Sequence, residues 1–580
     1  MNSNIGKMKT PFNRFIDLLK GESSEVISIY FYSSLSGIIY LTLPLGVQSI
    51  VNLLFGGLVS TSLVVLIFMV VAGVFINGWL EIQQMEINER IQRKVFTKFA
   101  MRFAYKIPRL NLVAVDDYYL PELVNRFFDT SAVQKGLSKV LLEFPAAILQ
   151  ILFGIVLLSF YNPAFIVFGA CLVLLVLLII RLTYNQGMRT SMEESNYKYE
   201  VGYWLEEVAR IIKSIKLMGT TNYPLKQTDQ LVCGYLDARA DHFSILKIQY
   251  WAFVVFKLLI TASLLIIGSI LVVKQQLNIG QFIAAEIVIL LLLNSVQKLI
   301  GSLDVVYDMF TALEKVNKLL DLPEERTGTL NIHDLRKPGG IEIKTENLGY
   351  TFPNTQQPVF SNLNFEIKPG EKLCIFGTQG SGKSTLLKMF TGAFSGYNGK
   401  VLFNDYPLGD YDLNLLRQQI GIYLSTPDLF TGTLRNNLTL GDETIPTGFI
   451  LQTCEAIGLL NYIQALPDGL NTNIDSLGKK LPRNTVNKIL LTRALLKKPQ
   501  LLLLEDCWSG LERIEQETII NFLTGNGCQC TLIVVTNDEN FAKRCDKILL
   551  LDGHETVAFG NFEKVSASPA YRKMFKHLSL

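Results

Sequence analysis

Nine contiguous residues carry the clearest chemistry in this chain: Gly377, Thr378, Gln379, Gly380, Ser381, Gly382, Lys383, Ser384 and Thr385. Gly377, Gly382, Lys383 and Ser384 satisfy the spacing G-x-x-x-x-G-K-[ST], whose backbone N–H groups cradle phosphates at a helix N-terminus. The apolar run Leu373-Cys374-Ile375-Phe376 leads in as a buried strand would, and Leu386-Leu387-Lys388-Met389-Phe390 leads out with helical character. That context separates the stretch from a chance match in a glycine-rich turn. Lys383 is expected along the outer phosphates of a nucleotide, and the Ser384 hydroxyl on magnesium. A second constellation lies downstream, where the run Leu501-Leu502-Leu503-Leu504 ends in Glu505-Asp506. A strand there delivers carboxylates toward the metal.

The elements that must position these groups follow from composition. With 580 residues the chain exceeds one core, so two or more domains are expected. Mean hydropathy is +0.29, high for a soluble protein, and the apolar residues concentrate before residue 305 or so. Six bilayer spans are read at approximately 26–54, 60–80, 141–161, 163–184, 251–273 and 280–303. Asn162-Pro163 and the 274–278 stretch (KQQLN) punctuate two tight hairpins. The segment 11–19 reads as an amphipathic helix with Phe12, Phe15, Ile16 and Leu19 on one face, lying along the inner membrane surface. Basic residues precede the first span (Lys7, Lys9, Arg14, Lys20) and crowd the second-to-third connection, whereas the connections at 55–59, 162 and 274–279 carry only Lys274. Both termini are therefore expected in the cytoplasm, with long helical extensions projecting there. Within the spans, Lys257 is expected to snorkel. Glu286, Asn294 and Gln297 form either a polar stripe facing a cavity or helix-packing contacts.

The net charge of +3 does not argue for nucleic acid, and eight scattered cysteines read as reduced thiols. Cys528-x-Cys530 has no second pair to complete a metal site. The first fifteen residues lack a secretory signal. From residue 319 the composition changes, and strand-like runs at 341–348, 363–367 and 373–377 begin an α/β domain around a mainly parallel sheet. The expected organisation is a membrane-surface segment (1–25), a transmembrane domain (26–318), a linker (319–340) and a nucleotide-binding domain (341–580).

Several further stretches carry a family resemblance: FEIKPGEK at 365–372, LFTGTLRNN at 429–437, LPDGL at 466–470 and TRALLKKP at 492–499. With six spans and the phosphate loop, the whole chain resembles an ABC exporter half-transporter, closest to bacterial type I secretion and peptide exporters. The resemblance implies an α-helical membrane domain fused to an α/β P-loop domain, set in the inner (plasma) membrane. It implies ATP and Mg2+ as ligands, and a homodimer, or a heterodimer with another half-transporter. The transported substrate is not disclosed. No peptidase-like extension is expected before the first span.

Departures from the family pattern are as informative as the matches. Phe352 stands where an adenine-stacking tyrosine is usual, and Ser425 where the Q-loop glutamine belongs. Leu481-Pro482-Arg483-Asn484-Thr485 replaces the LSGGQ signature, so Pro482 occupies the place of the serine that reaches the γ-phosphate and lacks an N–H. The Walker B aspartate is Glu505 and the catalytic glutamate is Asp506, one methylene short for a general base that must lie within about 3 Å of its water. Asn537 replaces the switch histidine and cannot carry a proton, and none of His242, His333, His554 and His577 substitutes from a neighbouring position. Ser476 stands where a glutamate usually touches the partner's coupling helix. These changes predict retained nucleotide binding with weak or absent hydrolysis. The alternative is a non-hydrolytic, nucleotide-gated regulatory or scaffold subunit. Coupling segments are expected near 115–127 and 219–227, resting on Tyr118, Tyr119 and Leu123.

Overall fold

The computed structural model describes residues 10–55, 61–116, 118–219, 221–330, 339–353, 355–425, 428–506, 510–525 and 527–575. Lys7, Lys9, most of the 55–59 connection, Asp117, Thr220, His333 with much of the expected linker, Cys507 and His577 lie outside them. The chain forms two compact units, 1–109 with 117–322, and 110–116 with 323–580.

The first unit is helical. Helix α1 (Pro11–Leu19) starts with proline at its first position, and the Asn13 N–H donates to Thr10 Oγ1 (3.3 Å) as an N-cap. Its buried residues are Phe15 and Leu18, while Phe12 and Ile16, expected on the same apolar face, are exposed. The first expected span is two helices, α2 (Ser23–Tyr40) and α3 (Thr42–Phe55), broken at Leu41. Pro44 explains the break, because it has no N–H to bond back to Tyr40. The helices that follow are α4 (Thr61–Lys106), α5 (Leu112–Val115, which belongs to the second unit), α6 (Leu120–Asn125), α7 (Thr130–Ser138), α8 (Phe144–Tyr161), α9 (Ala164–Arg210), α10 (Ile212–Met218), α11 (Tyr223–Val273), α12 (Ile279–Gly301) and α13 (Leu303–Leu320).

Six of these segments are long and apolar enough to cross a membrane. Helices α4, α9 and α11 run 46, 47 and 51 residues. At 1.5 Å per residue each is about 70 Å or longer, against a hydrocarbon layer of about 30 Å. The long helical extensions expected from the sequence are therefore present. Both hairpins have local causes. Asn162 leaves α8 in extended backbone before Pro163 opens α9. Gln275 turns in the left-handed region (φ 59), and a capping box of Asn278 with Gln281 opens α12.

Packing inside this unit combines close approach with buried polar pairs. A Cβ on Gly136 of α7 would stand 2.3 Å from Met309 Cβ of α13, so only glycine admits this contact. Ser33 donates to Gln84 (2.8 Å) between α2 and α4, and Gln249 donates to Thr183 (2.7 Å) between α11 and α9. Lys257 is exposed, and Gln297 donates to Tyr250 (3.3 Å) from α12 to α11.

The expected coupling residues fall differently. Leu123 is fully buried in the helical core, and Tyr119 packs edge-on against Tyr203. Burial takes Leu123 out of reach of a partner surface, whereas Tyr118 and Tyr119 stay exposed, as the expectation requires.

The second unit takes in Leu110–Asp116, with Val113 against its core and the Asn111 N–H donating to Pro323 O (3.0 Å). Its strands are β1 (Ile343–Tyr350), β2 (Phe360–Ile367), β3 (Lys372–Gly377), β4 (Asn398–Phe403), β5 (Tyr406–Pro407), β6 (Ile420–Tyr423), β7 (Gly432–Thr433), β8 (Asn473–Ile474), β9 (Leu501–Glu505), β10 (Thr531–Val535), β11 (Lys547–Asp552) and β12 (Glu555–Gly560). The main sheet runs β12-β11-β3-β10-β9-β6, parallel except for β12. The mainly parallel sheet expected from the sequence is thus present, and a separate antiparallel sheet, β2-β1-β4-β5, holds the strands expected at 341–348 and 363–367. The continuous apolar runs of β3, β9 and β10 follow from burial on both faces. Part of the expected linker also proves ordered: the Gly328 N–H donates to Tyr411 O (2.9 Å), and Arg417 grips Glu325 bidentately (2.6 and 3.0 Å).

Candidate functional site

The phosphate loop leaves β3 at Gly377 and enters α14 (Lys383–Met389) through Gly382. Glycine is required by geometry at two places. Gly382 adopts φ 83, and a Cβ there would meet Val359 at 2.7 Å. At Gly377 a Cβ would lie 2.4 Å from Leu551 O on the neighbouring β11. The loop is thus fixed by the parallel pairing of β3 with β11, which places the end of each strand beside the other.

Lys383 folds over the loop and donates from Nζ to Gly377 O (2.9 Å) and Thr378 O (2.6 Å). Burial pushes its ammonium below the ordinary lysine value, with the Glu505 carboxylate opposing. The Ser384 hydroxyl donates to Glu505 at the end of β9, and the Ser425 N–H donates to the other Glu505 oxygen (3.4 Å). Ser384, Ser425 and Glu505 therefore converge, although they are separated widely in sequence. A hydroxyl and a carboxylate side by side are hard oxygen donors of the kind Mg2+ takes.

Beside the loop lies a cavity of about 700 Å3, lined by Phe352, Gln356, Val359, Gln379, Lys383 and His554 among others. Phe352 is held by rings of Tyr350 (5.1 Å) and Phe394 (5.8 Å). A nucleotide fits these residues, since an aromatic face, a glycine cradle, a lysine and an oxygen pair occur along one surface.

His554 lines this cavity although it stands at none of the motif positions that the sequence points to. It sits on the turn joining β11 to β12, and the Ser361 N–H donates to its carbonyl (2.7 Å). The signal was present in the Asp552-Gly553 turn at the end of a strand that neighbours β3. Arg493 is the other missed residue. Its guanidinium donates to Asp428 O (2.8 Å) and Asn437 O (2.7 Å), pinning the backbone just past the Ser425 loop.

Asp506 and Asn537 are exposed and do not line this cavity. Asp506 is in left-handed backbone (φ 42), with its N–H donating to Val535 O (2.9 Å). The stretch 481–485 opens the helix Arg483–Leu496, where Pro482 is the N-cap and makes no side-chain cap hydrogen bond. Where this position usually offers a hydroxyl, it offers a pyrrolidine ring.

Two family models match, "ABC transporter transmembrane region" over residues 26–296 and "ABC transporter" over residues 360–509. The chain is 23% identical to the lactococcin-G-processing and transport ATP-binding protein LagD of Lactococcus lactis subsp. lactis, over 78% of this chain and 64% of that protein. It is 28% identical to the leukotoxin translocation ATP-binding protein LktB of Mannheimia haemolytica, over 52% of this chain and 42% of that protein. The chain thus spans less than two thirds of either relative. Its fold matches a bacterial Atm1-family ABC exporter with ATP bound at a TM-score of 0.86 and 16% identity, covering 96% of this chain and 98% of that one. A membrane-spanning helical unit and a P-loop unit in one polypeptide, each matched separately, place this chain among the ABC exporter half-transporters.

Proposed function

We propose that this chain is one subunit of a dimeric exporter of the inner (plasma) membrane, with both termini cytoplasmic. It binds ATP with Mg2+ and hydrolyses it weakly or not at all. Lys383 and the N–H groups of 378–385 hold the phosphates, Phe352 takes the adenine, and Ser384 with Glu505 holds the metal, which neutralises phosphate charge when bound. One observation carries the reading: the phosphate loop is closed by the Ser384–Glu505 hydrogen bond, while the signature helix begins at Pro482. The names of the two relatives, a lactococcin-G transporter and a leukotoxin translocator, favour a polypeptide cargo.

A second reading, a non-hydrolytic subunit that gates or scaffolds on nucleotide binding, draws support from Asp506. An exposed aspartate in left-handed backbone is a poor position for a general base. Pairing with a competent partner does not restore full turnover. The partner's phosphate loop would face LPRNT, and Glu505-Asp506 would face the partner's signature.

Titration calorimetry of the protein in nanodiscs should show ATP binding, and phosphate release should be slow or undetectable. Brisk ATPase activity in the unpaired protein would overturn the degenerate-site reading, and absence of nucleotide affinity would overturn both readings.

A further inference from the structure

Away from the nucleotide unit, His242 of α11 meets two carboxylates of α13 inside the helical unit. The imidazole is fully buried. Its Nδ1 lies 2.8 Å from Thr190 Oγ1 on α9, and that hydroxyl lies 3.0 and 3.2 Å from the carbonyls of Gln186 and Gly187 in its own helix. A threonine hydroxyl has one proton, and donation to the preceding turn is its ordinary use in a helix. Thr190 Oγ1 then accepts from Nδ1–H, which leaves the lone pair of a neutral imidazole on Nε2. Nε2 faces Asp304 Oδ1 at 3.2 Å, a contact that either a proton on Nε2 or a cation between the two atoms accounts for.

Asp308, one turn on from Asp304, faces the same spot, and one ligand atom from each of the three residues lies within 4.8 Å of the others. Ser191 donates to Asp308 (3.4 Å) and is itself 2.9 Å from Thr311 Oγ1. Among the described residues no lysine or arginine forms an ion pair with Asp308, and the nearby Arg239 is engaged by Glu194 (3.0 Å).

We propose that His242 Nε2, Asp304 and Asp308 bind one divalent transition-metal cation of the Zn2+ class, bracing α9, α11 and α13 together. Imidazole with carboxylates suits Zn2+ better than the all-oxygen sets of Mg2+ or Ca2+. With metal–ligand distances of roughly 2.0–2.1 Å, tetrahedral ligands stand about 3.3 Å apart, close to the His242–Asp304 separation. Thr190 and Ser191 supply the outer hydrogen bonds that orient an imidazole and a carboxylate on a metal. His242 precedes the span read at 251–273, and Asp304 and Asp308 follow the one read at 280–303, all on the side that carries the long extensions.

The alternative is a simple His242–Asp304 hydrogen bond, which gives Asp308 no part. The test uses the full chain in nanodiscs, freed of any affinity tag and stripped with chelator. Equilibrium dialysis against micromolar Zn2+ should return about one metal per chain, and Co2+ should give the visible absorption of a tetrahedral site. Asp308→Asn should lower Zn2+ affinity about tenfold or more, as should His242→Gln and Asp304→Asn. The double change Cys528→Ser with Cys530→Ser should leave it unchanged. Zn2+ should raise the melting temperature of the parent protein and not that of Asp308→Asn. Asp308 is exposed, so its variant decides the matter even where His242→Gln fails to fold. No bound metal in the parent, or unaltered affinity in Asp308→Asn, overturns the proposal.

Discussion

Asp506 occupies a backbone position that few side chains tolerate, at φ 42. Aspartate can enter this region because its short polar side chain bonds locally, and glutamate does so less readily. Asp506→Glu therefore gains reach and adds strain together, and on its own it should restore little ATPase activity. Combining it with Ser425→Gln, Pro482→Ser, Arg483→Gly, Asn484→Gly, Thr485→Gln and Asn537→His should restore much more, because these positions serve one chemical step. A large gain in phosphate release from the single change would show the other departures to be harmless. Lys383→Ala should weaken ATP binding about tenfold to a hundredfold by calorimetry, since hydrogen bonds to a charged group contribute roughly 1.5–3 kcal/mol. The phosphate loop was legible in the sequence because its nine residues are contiguous and its chemistry is local. His554 was not, because it reaches the cavity only through the pairing of β11 with β3.

At the level of elements, helices declared themselves by length and apolar content, and hairpins by Asn162-Pro163 and the 274–278 turn. The antiparallel sheet did not, because β1 pairs with both β2 and β4 and register between distant strands leaves little local trace. Leu123 was misassigned for a similar reason. An apolar residue in a predicted tip reads as free for a partner until its burial among neighbouring helices is known. Contacts of this closeness can be tested at glycine. Gly136→Leu would drive a side chain into Met309 and should lower the melting temperature of the purified protein, overpacking costing about 1–3 kcal/mol. A Cβ on Gly202 of α9 meets nothing within 4 Å, so Gly202→Ala should leave stability equal or slightly higher. Equal melting for both variants would mean that α7 and α13 do not approach as described.

For the whole molecule, the proposed orientation rests on lysine and arginine asymmetry alone and is open to direct measurement. In a background with Cys171 and Cys233 replaced by serine, Gln276→Cys should react with an impermeant thiol reagent added outside intact cells. Lys216→Cys should react only after permeabilisation, and the reverse pattern would invert the topology. The length of α11 has a mechanical consequence in either orientation. With the membrane holding 251–273, roughly 40 Å of rigid rod extends beyond it toward Tyr223. A tilt of five degrees at the bilayer would then swing the far end by about 4 Å, and His242 sits much nearer the pivot than that end. Sub-ångström slack among α9, α11 and α13 at His242 is thus multiplied at the tip, like play in the bearing of a long oar.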